Sequence, residues 1–239
     1  MPLIKTTGLV IQHTNIGEYD RMLSVLSPTL GVIQISAKGA RSMKAGLHNA
    51  TRCFCYAEFV LYPAKKEIYS LKSAAPLQVF MELAEDLDRL EAATAIAKFA
   101  RYLCISADYA EPMLRLVLGS FHLLCRGTAP KQVNLTFLLK AAQTAGFTPN
   151  FSACARCGAP GPLVWFDTEN GTCLCSGCAA KKNLTPALLA MFQYILTAPV
   201  QRCFAYRAED ALLSAAEPLL FAFIRQHIGY FGSKKKDRY

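Results

Sequence analysis

The sequence lacks the features of a membrane or secreted protein. No uncharged apolar run reaches the roughly 18 residues that a membrane-spanning helix requires. The longest apolar candidate, residues 114–125, is short and contains Arg115 and His122. Near the N-terminus, Lys5 precedes a mixed stretch with no small-residue cleavage site, so we expect no signal peptide. These absences predict a cytoplasmic protein.

The chain also lacks the common catalytic motifs. It contains no phosphate-binding G-x-x-x-x-G-K-[ST] loop, no dinucleotide-binding glycine pattern, no G-x-S-x-G and no H-E-x-x-H. The four histidines are scattered, and none has a neighbouring Asp, Ser or Cys at a catalytic spacing. We therefore expect a protein that is not an enzyme.

Acidic residues are scarce: 17 Asp and Glu stand against 26 Lys and Arg, which gives a net charge of +9. Residues 21–57 contain no Asp or Glu at all. An excess of cations favours a polyanionic partner, with nucleic acid ahead of anionic lipid. The five cations of this window are the predicted phosphate contacts: Lys38, Arg41, Lys44, Arg21 and Arg52. A solvated mobile loop is the alternative interpretation of residues 37–46, where small residues separate the cations.

The first third of the chain is typical of a small β-barrel. Hydrophobic residues make up 53% of the sequence, enough for a globular core. Short β-branched and apolar runs at 7–13, 21–27, 32–36, 54–62 and 68–72 predict five strands separated by turns. Five strands in this length suit an OB-type barrel, and an SH3-like barrel fits nearly as well. Several aromatic side chains could stack on bases, although alternation places at least half of them in the core: Phe54, Tyr56, Phe59, Tyr62 and Tyr69.

The remainder of the chain predicts helices. Leu83, Leu87 and Leu90 follow a helical spacing, and the last helix is expected to be interrupted or bent at Pro218. We therefore predict an α+β protein with a barrel domain at 1–78 and a helical domain at 79–239. The basic tail after residue 233 is expected to be disordered.

Ten cysteines in a chain without a signal peptide favour thiols or metal ligands over disulfides. Cys154 and Cys157 form one C-x2-C pair, and Cys175 and Cys178 form a second after a 17-residue gap. Such pairs let four thiolates converge on one tetrahedral ion, so we predict a single structural Zn²⁺ in a module at 151–180. Ordinary reduced cysteines and a redox-labile pair are the alternatives, and Cys173 could compete as a ligand.

Four stretches in this order resemble the RecO family of recombinational DNA-repair proteins. They are GEYDR at 17–21, KGAR at 38–41, the GFTPNF turn at 146–151, and the two cysteine pairs. The resemblance covers residues 3–180 and implies an OB-fold followed by a helical domain with an inserted zinc module. It carries Lys38 and Arg41 over as phosphate contacts.

The resemblance also implies a function. The expected protein binds single- and double-stranded DNA, anneals complementary strands, and acts with RecR to load RecA onto DNA coated by single-stranded DNA-binding protein. We expect it in the bacterial cytoplasm, associated with the nucleoid. For the contact with single-stranded DNA-binding protein, the family often has Arg where this chain has Thr136, and Lys131 and Lys140 are the nearby cations.

Two other functions fit the same residues. An RNA-binding OB and zinc-ribbon protein of translation or rRNA handling would show a similar charge and cysteine pattern. A structural adaptor with incidental basic charge would bind no nucleic acid in a salt-sensitive way.

Overall fold

The computed structural model describes residues 2–42, 47–65, 67–104 and 107–230. Five strands come first: β1 (Ile4–Ile16), β2 (Asp20–Ser27), β3 (Gly31–Ala37), β4 (Cys55–Lys65) and β5 (Ile68–Val79). They close into a barrel in the order β1-β2-β3-β5-β4, and β4 pairs with β1 to complete it. The β3–β5 pair is parallel, and the other pairs are antiparallel. This is the predicted OB-type topology.

Alternation along the strands fills the barrel. In β3, every second residue is buried, which leaves Ile33 and Ile35 inside and the intervening residues partly exposed. Gly8 in β1 meets a specific packing need, because a Cβ there would lie 2.4 Å from Val25 Cγ1. The strand therefore passes β2 at a distance that only glycine allows.

Two helices pack with the barrel in one compact unit, residues 1–130. They are α1 (Leu87–Leu103) and α2 (Ala110–Cys125), preceded by 3-10 turns at Met81–Ala84 and Ala107–Tyr109. The ring of Phe121 in α2 is fully buried and packs edge-to-face against Phe54, at 5.1 Å between ring centroids, and Phe80, at 5.5 Å. These aromatic contacts join α2 to the barrel strands.

The helix predicted through Leu83, Leu87 and Leu90 is wrong in its boundary. Residues 81–84 form a 3-10 turn, and α1 begins at Leu87 because the Asp86 carboxylate accepts the Arg89 N–H as an N-cap, at 2.9 Å. Leu83 is fully buried whereas Leu87 is 68% exposed. The leucine spacing therefore does not describe one helix face.

The second compact unit covers residues 131–239. It contains α3 (Pro130–Thr144), the hairpin β6 (Leu163–Asp167) and β7 (Thr172–Cys175), α4 (Pro186–Thr197) and α5 (Asp210–Ile228). Helix α5 continues through Pro218, so the helix is not interrupted there. The basic tail lies wholly outside the described residues.

The compact unit that contains the barrel also contains α1 and α2. The domain boundary after residue 78 stays a prediction. None of the described helices has the length and apolar character needed to cross a membrane.

Candidate nucleic-acid interface and metal centre

The β1–β2 turn and the segment after β3 are held together at one end of the barrel. The Gly39 N–H donates to Asp20 Oδ1 at 2.8 Å, and the Arg41 N–H donates to the Tyr19 carbonyl at 2.9 Å. The Arg41 guanidinium also donates to the Gly17 carbonyl at 3.1 Å. Both glycines have positive φ, 57° for Gly17 and 67° for Gly39, a conformation that glycine adopts without strain. Two of the sequence stretches described above therefore form one structural unit.

The predicted phosphate contacts differ in accessibility. Lys38 and Arg41 are exposed, and Arg52 is half-buried. Lys44 lies outside the described residues.

Arg21, unlike Lys38 and Arg41, does not lie on the surface. Its side chain is buried, with 7% exposure, and Nη1 donates to Thr51 Oγ1 at 3.0 Å and to the His48 carbonyl at 3.3 Å. Its Nε has no hydrogen-bond partner. Within the described ranges, Arg21 forms no ion pair with a carboxylate. The guanidinium thus holds the segment before β4 in place through hydrogen bonds, and no carboxylate neutralises the charge of the guanidinium.

Several of these cations lie close enough together to influence one another's pKa. Burial and then the charge of Arg41 lower the pKa of Arg21, with a further lowering from Arg52. Burial, Arg21 and Arg52 likewise lower the pKa of His13, which favours its neutral form. We call Arg21, Arg41, Arg52 and His13 the arginine cluster. The three mutually repelling arginines of this cluster are a favourable environment for an anion.

Sequence reasoning missed His13 and its neighbour Cys53. The Cys53 Sγ lies 3.2 Å from His13 Nδ1, and burial raises the pKa of Cys53, so the thiol stays protonated. The two residues lie 40 positions apart. No local pattern in the sequence could have joined them, because β-barrel closure brings them together.

The four predicted zinc ligands do converge. The Sγ atoms of Cys154, Cys157, Cys175 and Cys178 all lie within 4.8 Å of one another, and those of Cys157 and Cys175 are 3.7 Å apart. Four sulfurs placed tetrahedrally at ~2.3 Å from an ion would be ~3.8 Å apart. The donor set and its spacing therefore fit one tetrahedral metal ion.

Short turns at both knuckles and the β6–β7 hairpin position these thiols. The Gly158 N–H donates to the Cys154 carbonyl at 2.9 Å, and the Cys178 N–H donates to the Cys175 carbonyl at 3.0 Å. Backbone hydrogen bonding from Cys175 is the main factor that lowers the pKa of Cys154 to about 6. Hydrogen bonding with Cys157 raises the pKa of Cys178 to about 12, so the four thiols share protons that a bound metal would displace.

Cys173 does not belong to this group. Its side chain is fully buried, and desolvation raises the pKa of its thiol to about 12. Within the parts of the chain that are described, the cysteine cluster contains the four predicted ligands and not Cys173.

The two cations near Thr136 are engaged inside the second unit. Lys140 is buried, and its Nζ donates to the carbonyls of Ile195, Leu196 and Ala198 at the end of α4. Lys131 Nζ donates to Ser214 Oγ at 2.6 Å and lies 3.4 Å from Asp210. Lys140 is therefore a helix-capping cation that cannot reach a partner protein.

Family models match both parts of the chain. The model described as Recombination protein O N terminal matches residues 1–80, and the one described as Recombination protein O C terminal matches residues 84–237. Similar proteins are named DNA repair protein RecO. The one from Anaeromyxobacter sp. (strain K) is 30% identical, covering 96% of this chain and 93% of its own length. The one from Acetivibrio thermocellus is 28% identical, covering 89% of this chain and 87% of its own length.

Proposed function

Because the chain belongs to the RecO family of DNA repair proteins, we propose that it is a non-enzymatic mediator of recombination. In this proposal it binds single- and double-stranded DNA without reading sequence and anneals complementary strands. The relatives are named for DNA repair, and the finer activities are our proposal for this chain.

Annealing requires no bond chemistry. Two DNA strands repel each other through their phosphates, and a basic protein surface lowers this repulsion while releasing counterions. Base pairing can then begin. A barrel that holds the backbone and leaves the bases free suits this task better than one that reads base edges.

The observation that carries the proposal is the arginine cluster at the end of the barrel where the two loops are bonded together. We propose Lys38, Arg41 and Arg52 as the phosphate contacts. Arg21 would contribute its positive charge from its buried position while its hydrogen bonds hold the segment before β4. Lys44 remains a predicted contact from its place in the sequence.

We further propose that Cys154, Cys157, Cys175 and Cys178 hold one Zn²⁺. Bound there, the ion would supply a structural cross-link, since four thiolates leave no open coordination position for a reacting group. The cysteines would then fix residues 151–180 for contacts with DNA or partner proteins.

The proposed partners follow from the family. They are RecR, single-stranded DNA-binding protein and, indirectly, RecA, in the cytoplasm at the nucleoid. Because Lys140 is buried and Lys131 is bonded within its own unit, we assign neither as the contact for single-stranded DNA-binding protein.

The proposal is tested by annealing complementary strands that are precoated with single-stranded DNA-binding protein. We expect the protein to accelerate annealing, and we expect added salt to suppress its binding to uncoated strands steeply. A protein that binds structured RNA strongly and leaves the coated strands unannealed would instead fit the RNA-handling alternative. Absence of any salt-sensitive binding would fit the adaptor alternative.

A further inference from the structure

A groove lies between β1 and α1, beside the arginine cluster. Its volume is about 180 Å³, and we call it the β1–α1 groove. Ile11, Phe54 and Ala97 contribute apolar surface, and Gln12 and Thr94 contribute polar atoms. A cavity of ~150 Å³ accommodates one aromatic ring, so this space suits a single planar ring system.

Two exposed cations line the groove on the α1 side. Lys98 and Arg101 are three residues apart and follow Thr94 at helical spacing, so these three residues share one face. The Arg101 guanidinium donates to Gln12 Oε1, which connects the helix to β1. Among the residues that the structure describes, no Asp or Glu lines the groove. The groove therefore combines apolar walls with positive charge, and its ligand should be an apolar ring attached to anionic groups.

The wall formed by Phe54 is held in an uncommon backbone conformation. Phe54 has φ of 63°, which is rare for an aromatic residue and unfavourable by ~1–3 kcal/mol. Backbone hydrogen bonds hold it on both sides: its N–H donates to the Val10 carbonyl at 2.8 Å, and its carbonyl accepts from Phe80. The barrel thus fixes the Phe54 ring beside the groove.

The groove is continuous with the arginine cluster through Cys53. This residue lines the groove and also contacts His13 at 3.2 Å, while Arg52 precedes it directly in the chain. A strand with its phosphates on Arg41 and Arg52 would therefore bring its next nucleotide towards the groove.

We propose that the β1–α1 groove receives one nucleobase of single-stranded DNA while the neighbouring phosphates lie on the arginine cluster. This inference rests on the proposed DNA-binding function and adds a base-binding site to it. Thr94 and Gln12 would face the polar edge of the base, and Lys98 and Arg101 would contact a phosphate on the α1 side of the groove.

An acidic peptide with an aromatic side chain offers a related chemistry. We favour the nucleobase because the cations continue beyond the groove into the arginine cluster. A phosphate at every nucleotide matches such a series of cations along one path. A peptide would need carboxylates along the same path.

The test compares two ligands that differ only in their bases: a thymidine oligonucleotide, and the same backbone with every base removed. Both carry the same phosphates, so charge-driven binding is equal for the two. If the groove takes a base, wild-type protein should bind the thymidine strand on the order of tenfold more tightly. Thr94→Phe fills the groove. It should bring the ratio of the two affinities close to one and leave the affinity for the abasic strand unchanged. Ala95→Phe adds the same ring at an exposed position of α1 outside the groove lining and should keep the preference.

A cross-linking measurement on wild-type protein removes any dependence on a variant that folds poorly. A strand containing 4-thiothymidine should cross-link to the peptide that contains Cys53 and Phe54. Thermal unfolding of Thr94→Phe and Ala95→Phe shows whether both are folded before affinities are compared.

The outcomes separate this inference from the proposed function. Equal wild-type binding of both strands would overturn the base site and leave phosphate-driven DNA binding standing. Binding of neither strand would overturn both. A base preference that survives Thr94→Phe, with cross-links elsewhere, would place the base outside the groove. If Thr94→Phe weakens binding of an acidic aromatic peptide but not of the thymidine strand, the groove binds a protein partner instead.

Discussion

Asp20 shows how a single side chain shapes the basic surface. Its carboxylate is the nearest acidic group in sequence to Arg21, yet Oδ1 accepts the Gly39 N–H and thereby connects the β1–β2 turn to the segment after β3. An acidic residue beside a cation would ordinarily weaken anion binding. Here the carboxylate fixes the backbone that carries Lys38 and Arg41.

Substitutions at Asp20 separate this positioning role from net charge. Asp20→Ala removes the acceptor for Gly39, and we expect a loss of about 1 kcal/mol in the free energy of unfolding. DNA affinity should also fall, although the net charge rises by one. Asp20→Asn keeps an oxygen acceptor and should bind DNA at least as tightly as wild type. Filter binding or fluorescence anisotropy with both variants measures this, and tighter binding by Asp20→Ala would mean that charge alone controls affinity.

The two exposed cations provide a direct test of the interface. We expect Lys38→Ala with Arg41→Ala to weaken binding to single strands at ~50 mM salt. The slope of log affinity against log salt should become shallower by about 1.4, since each lost phosphate contact contributes ~0.7. Lys5→Ala with Arg115→Ala removes the same charge from exposed positions elsewhere in the first unit and is the matched control. Unchanged affinity of the first double variant, measured by titration across salt concentrations, would remove Lys38 and Arg41 from the site.

At the scale of elements, the β6–β7 hairpin contributes the buried ring of Phe166, which packs against Phe151, Phe192 and Phe223. β6 and β7 are short, and the four thiols at its end converge within 4.8 Å. Without a shared ion, four adjacent thiols contribute little to the stability of the folded segment. A metal bound by them would add to the folding free energy that this aromatic packing supplies.

Removal of one ligand tests the metal centre. We expect Cys154→Ser to lose Zn²⁺ and to increase the protease sensitivity of residues 150–180, with little effect on the barrel. Cys125→Ser makes the same chemical change outside the cluster and should retain the metal. Elemental analysis and limited proteolysis measure the two effects, and freshly purified wild-type protein without zinc would contradict the assignment.

Element prediction from the sequence succeeded where the pattern depends on burial alternation. The five strands lie near their predicted positions, since inward and outward residues alternate through a barrel wall. The helix around Leu83 failed because leucine spacing alone does not exclude a 3-10 turn followed by a new N-cap at Asp86. Local hydrogen bonding determined that boundary.

For the whole molecule, the aromatic contacts of Phe121 make the barrel depend on the following helices. Phe54 and Phe80 pack against this one buried ring from α2, so the first compact unit extends to residue 130. A fragment that ends with the barrel strands would expose both rings to water.

Two fragments test this dependence. We expect residues 1–130 to unfold cooperatively when expressed alone, because that unit contains the complete aromatic contact. Residues 1–80 should unfold at a temperature at least ~10 °C lower, since removing a buried Phe contact costs about 3 kcal/mol or more. Circular dichroism during heating compares the two, and equal midpoints would show that the barrel is independent of α1 and α2.

The sequence by itself determined the barrel, the cysteine pairs and the basic character of residues 21–57. These depend on local patterns: alternation along strands, a two-residue ligand spacing, and the absence of acidic residues in one window. Only the tertiary structure decided which cations are exposed. Barrel closure buries Arg21, brings His13 to Cys53, and forms the groove between β1 and α1 from residues that are distant in the chain. Burial and contact between distant segments depend on how the elements pack, and the order of residues alone does not specify that packing.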